Sequence, residues 1–324
     1  MTTGSAIRDF TLDLDELEWT GHDLQRPESV VADRDGTLWA SDGRGGVTRI
    51  DPGGGQELHG GWGGEPNGLA IDPASGDLVT ANIALGKVQR MTRSGEVSTV
   101  LESVDGQRLT SANFVFYDRA GRLWITCLTR EDTWWPAVAR PRPDGFIVLV
   151  DERGPRIVAD GIYATNEARL DADERFLYVA ETMKARILRF PVLPDGSLGE
   201  REVFGPDGLG LGGYVDGFTF DAEGNLWVTT VVRNGIGVID TTGDWHVVFE
   251  DPREDVLATF EGKLAEGDAT PQDMAAAVGP TLQFPTSVCF AGEDLRTVHV
   301  GSLAMQRLPT FRSPVSGLPM SHWR

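Results

Sequence analysis

The chain has 324 residues, enough to bury a sizeable core in one large domain or two ordinary ones. Its 29 Lys and Arg against 49 Asp and Glu give a formal charge of −20, which repels phosphate backbones and anionic lipid and so argues against nucleic-acid and membrane partners. The two cysteines, Cys127 and Cys289, make no disulfide framework or zinc spacing, no apolar run nears the roughly 18 residues of a membrane span, and the start MTTGSAIRDF lacks a secretory pattern, so a cytoplasmic globular protein is expected.

Residues 8–19 (RDFTLDLDELEW) alternate polar and apolar and read as a strand that closes the last unit of a ring. Six copies of one strand–turn–strand unit then follow. They are VVADRDGTLWASD (30–42), GLAIDPASGDLVTAN (68–82), FVFYDRAGRLWITC (114–127), EARLDADERFLYVAET (167–182), GFTFDAEGNLWVTT (217–230) and SVCFAGEDLRTVHVGS (287–302). Further apolar stretches such as GVTRID (46–51) and GIGVID (235–240) supply the outer strands. Three or four short strands repeated six times predict an all-β fold, a six-bladed β-propeller with a central metal-binding channel, spanning residues 1–324 as one domain. Uneven spacing marks two insertions, 128–145 and 251–282. The second is acidic with room for short helices; it reads as a solvated loop, with a lid over the channel as the alternative. Trp39, Trp124 and Trp227 read as core residues between blades, and GLGLGG (208–213) as a loop, because no strand-then-helix unit surrounds it.

An Asp closes the first strand in five copies: Asp33, Asp72, Asp118, Asp171 and Asp221. Five residues before each stand Glu28, Asn67, Asn113, Asn166 and Asp216, and the equivalent of the sixth copy is Thr286. If the first strand is innermost, these positions ring the channel axis, and every one carries side-chain oxygen. Two carboxylates with neutral amides match a hard divalent cation, calcium first, with magnesium or manganese as alternatives. The ring has no His or Cys, which disfavours zinc. Asn67-Gly68 and Asp216-Gly217 also read as turn dipeptides, the plainer account of each taken alone.

Pro27-Glu28, Asn113, Asn166 with LYVAET (177–182), and Val215-Asp216-Gly217-Phe218 with DAEGNLWVT (221–229) resemble the senescence-marker-protein/gluconolactonase (regucalcin-like) family. The resemblance implies a six-bladed hydrolase of lactones or phosphoesters, dependent on one calcium or zinc ion held by Glu28, Asn113, Asn166 and Asp216. It implies that Asn67 stands beside the ion, holding water or substrate without being a principal ligand. Three positions depart from the family pattern: Ser111 replaces an arginine, Phe114 an aspartate and Glu167 a glycine. With Trp134 and Trp135 from the first insertion, Phe114 is expected to wall an apolar substrate pocket. Glu167, by strand alternation, is expected to point away from the ring. The expected activity is therefore a metal-dependent lactonase acting on a small molecule, with Asp216 as base or nucleophile. A phosphotriester hydrolase of the diisopropyl-fluorophosphatase type, or a non-catalytic ligand-binding propeller with a structural ion, are the alternatives. Oligomeric state has no signature in the chain.

Overall fold

Each repeat folds as a four-stranded antiparallel sheet, and six such sheets stand around one axis in the computed structural model, which describes residues 7–323. The innermost strands are Val30–Ala32, Pro66–Ile71, Ala112–Tyr117, Thr165–Leu170, Val215–Phe220 and Pro285–Ala291. Each packs against the innermost strands of the blades before and after it, all the way round. Blade six is completed from the other end of the chain: Glu18–Thr20 pairs antiparallel with Leu308–Arg312. That pairing closes the ring and leaves no open seam between first and last blade.

The closing strand is shorter than the alternation predicts. Within 8–19 the chain forms a 3-10 turn at Leu14–Glu16 instead, where Asp13 and Glu16 satisfy each other's backbone, and only Glu18–Thr20 joins the sheet. Short polar side chains that bond their own backbone favour such turns over ladders. The expectation for MTTGSA falls on residues 1–6, outside the described residues. Beyond blade six the C-terminal segment crosses beneath the blades: the Leu318 amide donates to the Phe220 carbonyl at 2.9 Å and the Trp323 indole to the Ala32 carbonyl at 2.7 Å.

The repeated Asp and Trp explain one another. The indole N–H of Trp39, Trp124 and Trp227 donates to Asp33, Asp118 and Asp221 at 2.9, 2.9 and 3.1 Å. The same Asp accepts a turn amide in the tight copies, from Arg122 and Asn225 at 2.9 Å. One carboxylate thus fastens the turn to the aromatic that fills the space between blades, and each charge-assisted bond of this kind is worth about 1.5–3 kcal/mol. Both cysteines are free and buried, and burial pushes their thiols up, Cys289 to about 12, so neither is a nucleophile.

Both insertions carry helices. The first holds α1 (Trp135–Ala139). The second forms α2 (Glu254–Glu266), stopped by Gly267 in the left-handed conformation, and α3 (Pro271–Ala276), started by a Thr270–Asp273 capping box. The solvated-loop expectation for 251–282 is corrected by this pair. Leu257 and Phe260 of α2 are fully buried in an apolar cluster with Val231, Val232 and Phe284 of the channel rim. Spacing of i, i+3, i+7 for Leu257, Phe260 and Leu264 makes the apolar face.

Candidate metal centre

At five of the six innermost strands the ladder is broken at the registered position. Register shifts fall between Pro66 and Leu69, Ala112 and Phe114, Thr165 and Ala168, Val215 and Phe218, and Pro285 and Val288. These bulges lie at Asn67, Asn113, Asn166, Asp216 and Thr286, and a bulge re-aims a side chain out of regular alternation. The amide next to two of these bulges is satisfied from the second strand, Phe114 donating to Thr126 Oγ1 at 3.1 Å and Gly217 to Thr229 Oγ1 at 3.0 Å, and the same bond runs from Ser29 to Ser41 Oγ at 2.9 Å in the first blade, which has no bulge. Gly217 is required by close approach, since a Cβ there would meet the Thr286 carbonyl and the Glu167 carboxyl.

Glu28, Asn67, Asn113, Asn166 and Asp216 all reach one cavity of about 700 Å³, mouth included. Every one of them is at least nine-tenths buried. Glu28 Oε2, Asn113 Oδ1 and Asn166 Oδ1 are buried with no hydrogen-bond partner among the described residues. Buried polar oxygens without partners are uncommon and costly, and three in one cavity call for a ligand. Among the described residues no three His, Cys, Asp or Glu gather as a metal cluster, so an ion here depends on amide oxygens together with carboxylates. Uncharged amide oxygens beside two carboxylates form a donor set that suits a hard cation such as calcium.

Asn67 has a different part from the substrate contact expected of it. Its Nδ2 donates to Glu28 Oε1 at 2.9 Å and to the Asn113 carbonyl at 3.0 Å, and its Oδ1 accepts from Arg26 Nη2 at 2.7 Å. The amide is fully engaged, and it holds Glu28 so that Oε2 stays free. Thr286 is spent as well, donating to the Glu28 carbonyl at 2.6 Å.

Burial raises the carboxyls of Glu28 and Asp216 well above the usual carboxylate range. Their neighbours' negative charges add to this: Asp216 and Glu167 act on Glu28, and Glu167 acts on Asp216. The Arg26 guanidinium works against both. Glu167 points away from the ring, as strand alternation requires. It is fully buried between blades four and five, pairs with Arg169 at 3.2 Å, and is pushed up to about 7 by burial.

Apolar side chains form the cavity walls, among them Ile83, Leu128, Trp134, Met183, Phe260 and Leu303. Trp134 is therefore where it was expected. Trp135 is not: it packs edge-on behind Trp134, ring centroids 5.5 Å apart, against the cluster of Val231, Leu257 and Phe260. Phe114 is the larger correction. Adjacent residues on a strand face opposite ways, so with Asn113 aimed into the channel Phe114 enters the core between blades three and four, 1 % exposed, with Arg169 over its ring. Ser111 contributes no polar group to the cavity; its hydroxyl donates to the Glu131 carbonyl at 3.2 Å. Sequence reasoning missed Arg26 and Tyr214 and held the helical cover only as the alternative to a loop; all of them line the cavity.

Fold and cavity together define a six-bladed propeller with an oxygen-lined polar centre under an apolar mouth. The family described as "SMP-30/Gluconolactonase/LRE-like region" matches residues 26–263, and the chain belongs to that family. Among curated relatives, a 6-deoxy-6-sulfogluconolactonase from Pseudomonas putida is 26% identical over 186 residues, 57% of this chain and 51% of the relative. Protein STRICTOSIDINE SYNTHASE-LIKE 9 from Arabidopsis thaliana is 22% identical over 177 residues, 51% of this chain and 45% of the relative. The chain thus spans about half the length of the curated relatives it matches. Solved structures of the same fold include a gluconolactonase from Xanthomonas campestris (TM-score 0.67, 21% identity, 92% of this chain and 91% of that one). A calcium-binding regucalcin from Agrobacterium tumefaciens also aligns (TM-score 0.68, 18% identity, 96% and 97%). Among the described residues no helix is long and apolar enough to cross a membrane.

Proposed function

We propose that the chain is a lactonase for an apolar-bodied small molecule, and that Glu28, Asn113, Asn166 and Asp216 hold one divalent cation, calcium by preference. The observation that carries this reading is the set of three partnerless buried oxygens, on Glu28, Asn113 and Asn166, at the base of an apolar cavity. Family membership and a lactonase among the relatives support it. A bound dication supplies Lewis acidity, polarising the ester carbonyl and acidifying water.

The chain's own residues do the rest. Trp134, Met183 and Phe260 exclude water and orient the lactone body. Asp216 takes a proton from the attacking water onto a carboxylate oxygen, a role suited to a carboxylate that lines the cavity. The water oxygen bonds the carbonyl carbon, the ring C–O bond breaks, and the released ring oxygen takes from Asp216 the proton that it removed from water, becoming a hydroxyl and restoring the carboxylate. The product is a hydroxy acid, whose carboxyl loses its proton to solvent. Asn67 holds Glu28 in place throughout.

A panel of aromatic, aliphatic and sugar lactones tests the reading, with phosphotriesters alongside. With calcium supplied, apolar lactones are expected to turn over fastest, and Asp216→Asn is expected to lower kcat about 10²–10⁴-fold with the fold intact, the usual worth of a general base. Turnover of phosphotriesters alone would move the assignment to that ester class. If a chelator lowers only the melting temperature and no ester is hydrolysed, the propeller is a binding module.

A further inference from the structure

The cavity contains one cation belonging to the chain itself. Arg26 lies two residues before Glu28, on the strap that enters blade one, with φ at 48° in the left-handed region. The strap is tightened there by the Glu28 amide donating to the Arg26 carbonyl at 2.8 Å. In this arrangement the guanidinium lines the cavity, Nη2 donating to Asn67 Oδ1 at 2.7 Å. Nη1 is buried with no partner.

Charge decides what that group is for. The two carboxylates of Glu28 and Asp216 balance a dication, and Glu167 is balanced by Arg169. Arg26 is then one positive charge in excess, in a cavity otherwise walled by Ile83, Leu128, Val138, Val231 and Phe260. Arg26 is half-buried, but its Nη1 is shut from water with no partner among the described residues, and such a guanidinium gains by pairing with an anionic oxygen, ideally through two N–H groups at once. We infer that Arg26 is a specificity-determining residue that binds a carboxylate borne by the substrate, so that the substrate class is an apolar lactone carrying one anionic oxygen group. This rests on the lactonase reading for the word lactone; the anion site itself does not.

Two arms keep the claims apart. In the first, calcium-loaded protein is titrated calorimetrically with 4-phenylbutyrate and with its neutral amide. The carboxylate is expected to bind at least about tenfold tighter, the worth of one charge-assisted pair. In Arg26→Gln the preference is expected to vanish, and in Arg26→Lys to survive in part, because the charge remains without the fork. No preference in the parent protein, or an undiminished one in Arg26→Gln, overturns the inference; the second result would place the carboxylate on the metal. Thermal unfolding establishes that both variants are folded. The other arm compares an aryl-substituted γ-lactone with the same lactone bearing a carboxylate. Arg26→Gln is expected to cut the advantage in KM of the acid over the neutral lactone about tenfold or more, whatever it does to the two in common. Equal losses of kcat on both would mean that Arg26 acts at the reacting carbonyl, against the inference. Absence of all lactone turnover would defeat the lactonase reading while the binding arm still judged the anion site.

Discussion

Replacing Asn67 by Leu, nearly the same size, removes the amide that ties three parts of the centre together. Glu28 Oε1 loses a donor at 2.9 Å, the Asn113 carbonyl loses one at 3.0 Å, and Arg26 loses an acceptor at 2.7 Å. Glu28 is 2 % exposed and Asn67 1 %, so water cannot easily replace the bonds made there. A bond to a buried carboxylate is worth about 1.5–3 kcal/mol and a neutral one about 1 kcal/mol. Arg26 is only half-buried and recovers part of its loss from solvent. The expected destabilisation of the metal-free protein is about 3 kcal/mol, read as a lower urea midpoint at unchanged slope. Glu28 is also released from the orientation that leaves Oε2 free, so calcium affinity should fall about 10–100-fold, as it does when a supporting hydrogen bond to a ligand is lost. Calorimetric calcium titration of the variant reads this directly. Unaltered affinity with unaltered stability would mean that Asn67 positions nothing, and the account of Glu28 as a pre-aimed ligand would fail.

Trp227→Phe removes the indole N–H held by Asp221 at 3.1 Å together with one ring of a fully buried side chain; a loss of at least about 1.5–3 kcal/mol in urea unfolding is expected, with calcium affinity unaffected, and a neutral effect would deprive the Asp–Trp pair of its place in the fold. The raised carboxyls predict an unusual pH response. In the unfolded chain Glu28, Glu167 and Asp216 are ionised above pH 7, whereas the folded metal-free protein retains part of their protons. Groups raised in the folded state give stability that is present at low pH and lost as pH climbs through their folded values. The metal-free protein should therefore lose stability progressively from about pH 5, just above the ordinary carboxyl range, to about pH 8, where Asp216 titrates in the folded state, and saturating calcium should flatten that slope by holding the ligands ionised. Urea unfolding in chelator and in calcium across that range checks it; a rising or level curve in chelator would contradict the burial-driven shifts.

Register explains both what the sequence disclosed and what it concealed. Counting back five residues from each strand-closing Asp found Glu28, Asn67, Asn113, Asn166 and Asp216, which meet in one cavity, because the turn and its Asp–Trp bond are rigid reference points. The count passed unknowingly through a bulge in four of these blades. A Ser or Thr thirteen residues after the ring position stands at Thr80, Thr126 and Thr229 in bulged blades and at Ser41 in the first blade, which has none; Ser41, Thr126 and Thr229 accept the neighbouring amide. Gly217 was legible only as a turn residue, since its true reason, the closeness of Thr286 on the next blade, is a contact between segments far apart in the chain. Phe114 was misplaced by its neighbour's company, although the alternation that rightly turned Glu167 aside applied equally to it. Helix α2 was legible only as room for short helices and an alternative lid, because its acidic composition masked the apolar spacing of Leu257, Phe260 and Leu264. Arg26 had no signal of its own: its direction is set by a left-handed turn that propensity does not announce.

A crystal grown with ample calcium tests the central claim most directly. One ion is expected among Glu28 Oε2, Asn113 Oδ1, Asn166 Oδ1 and the Asp216 carboxylate, at about 2.3–2.6 Å from each, with waters completing the shell. An ion bound elsewhere in the protein, or no density between those four side chains, would contradict it.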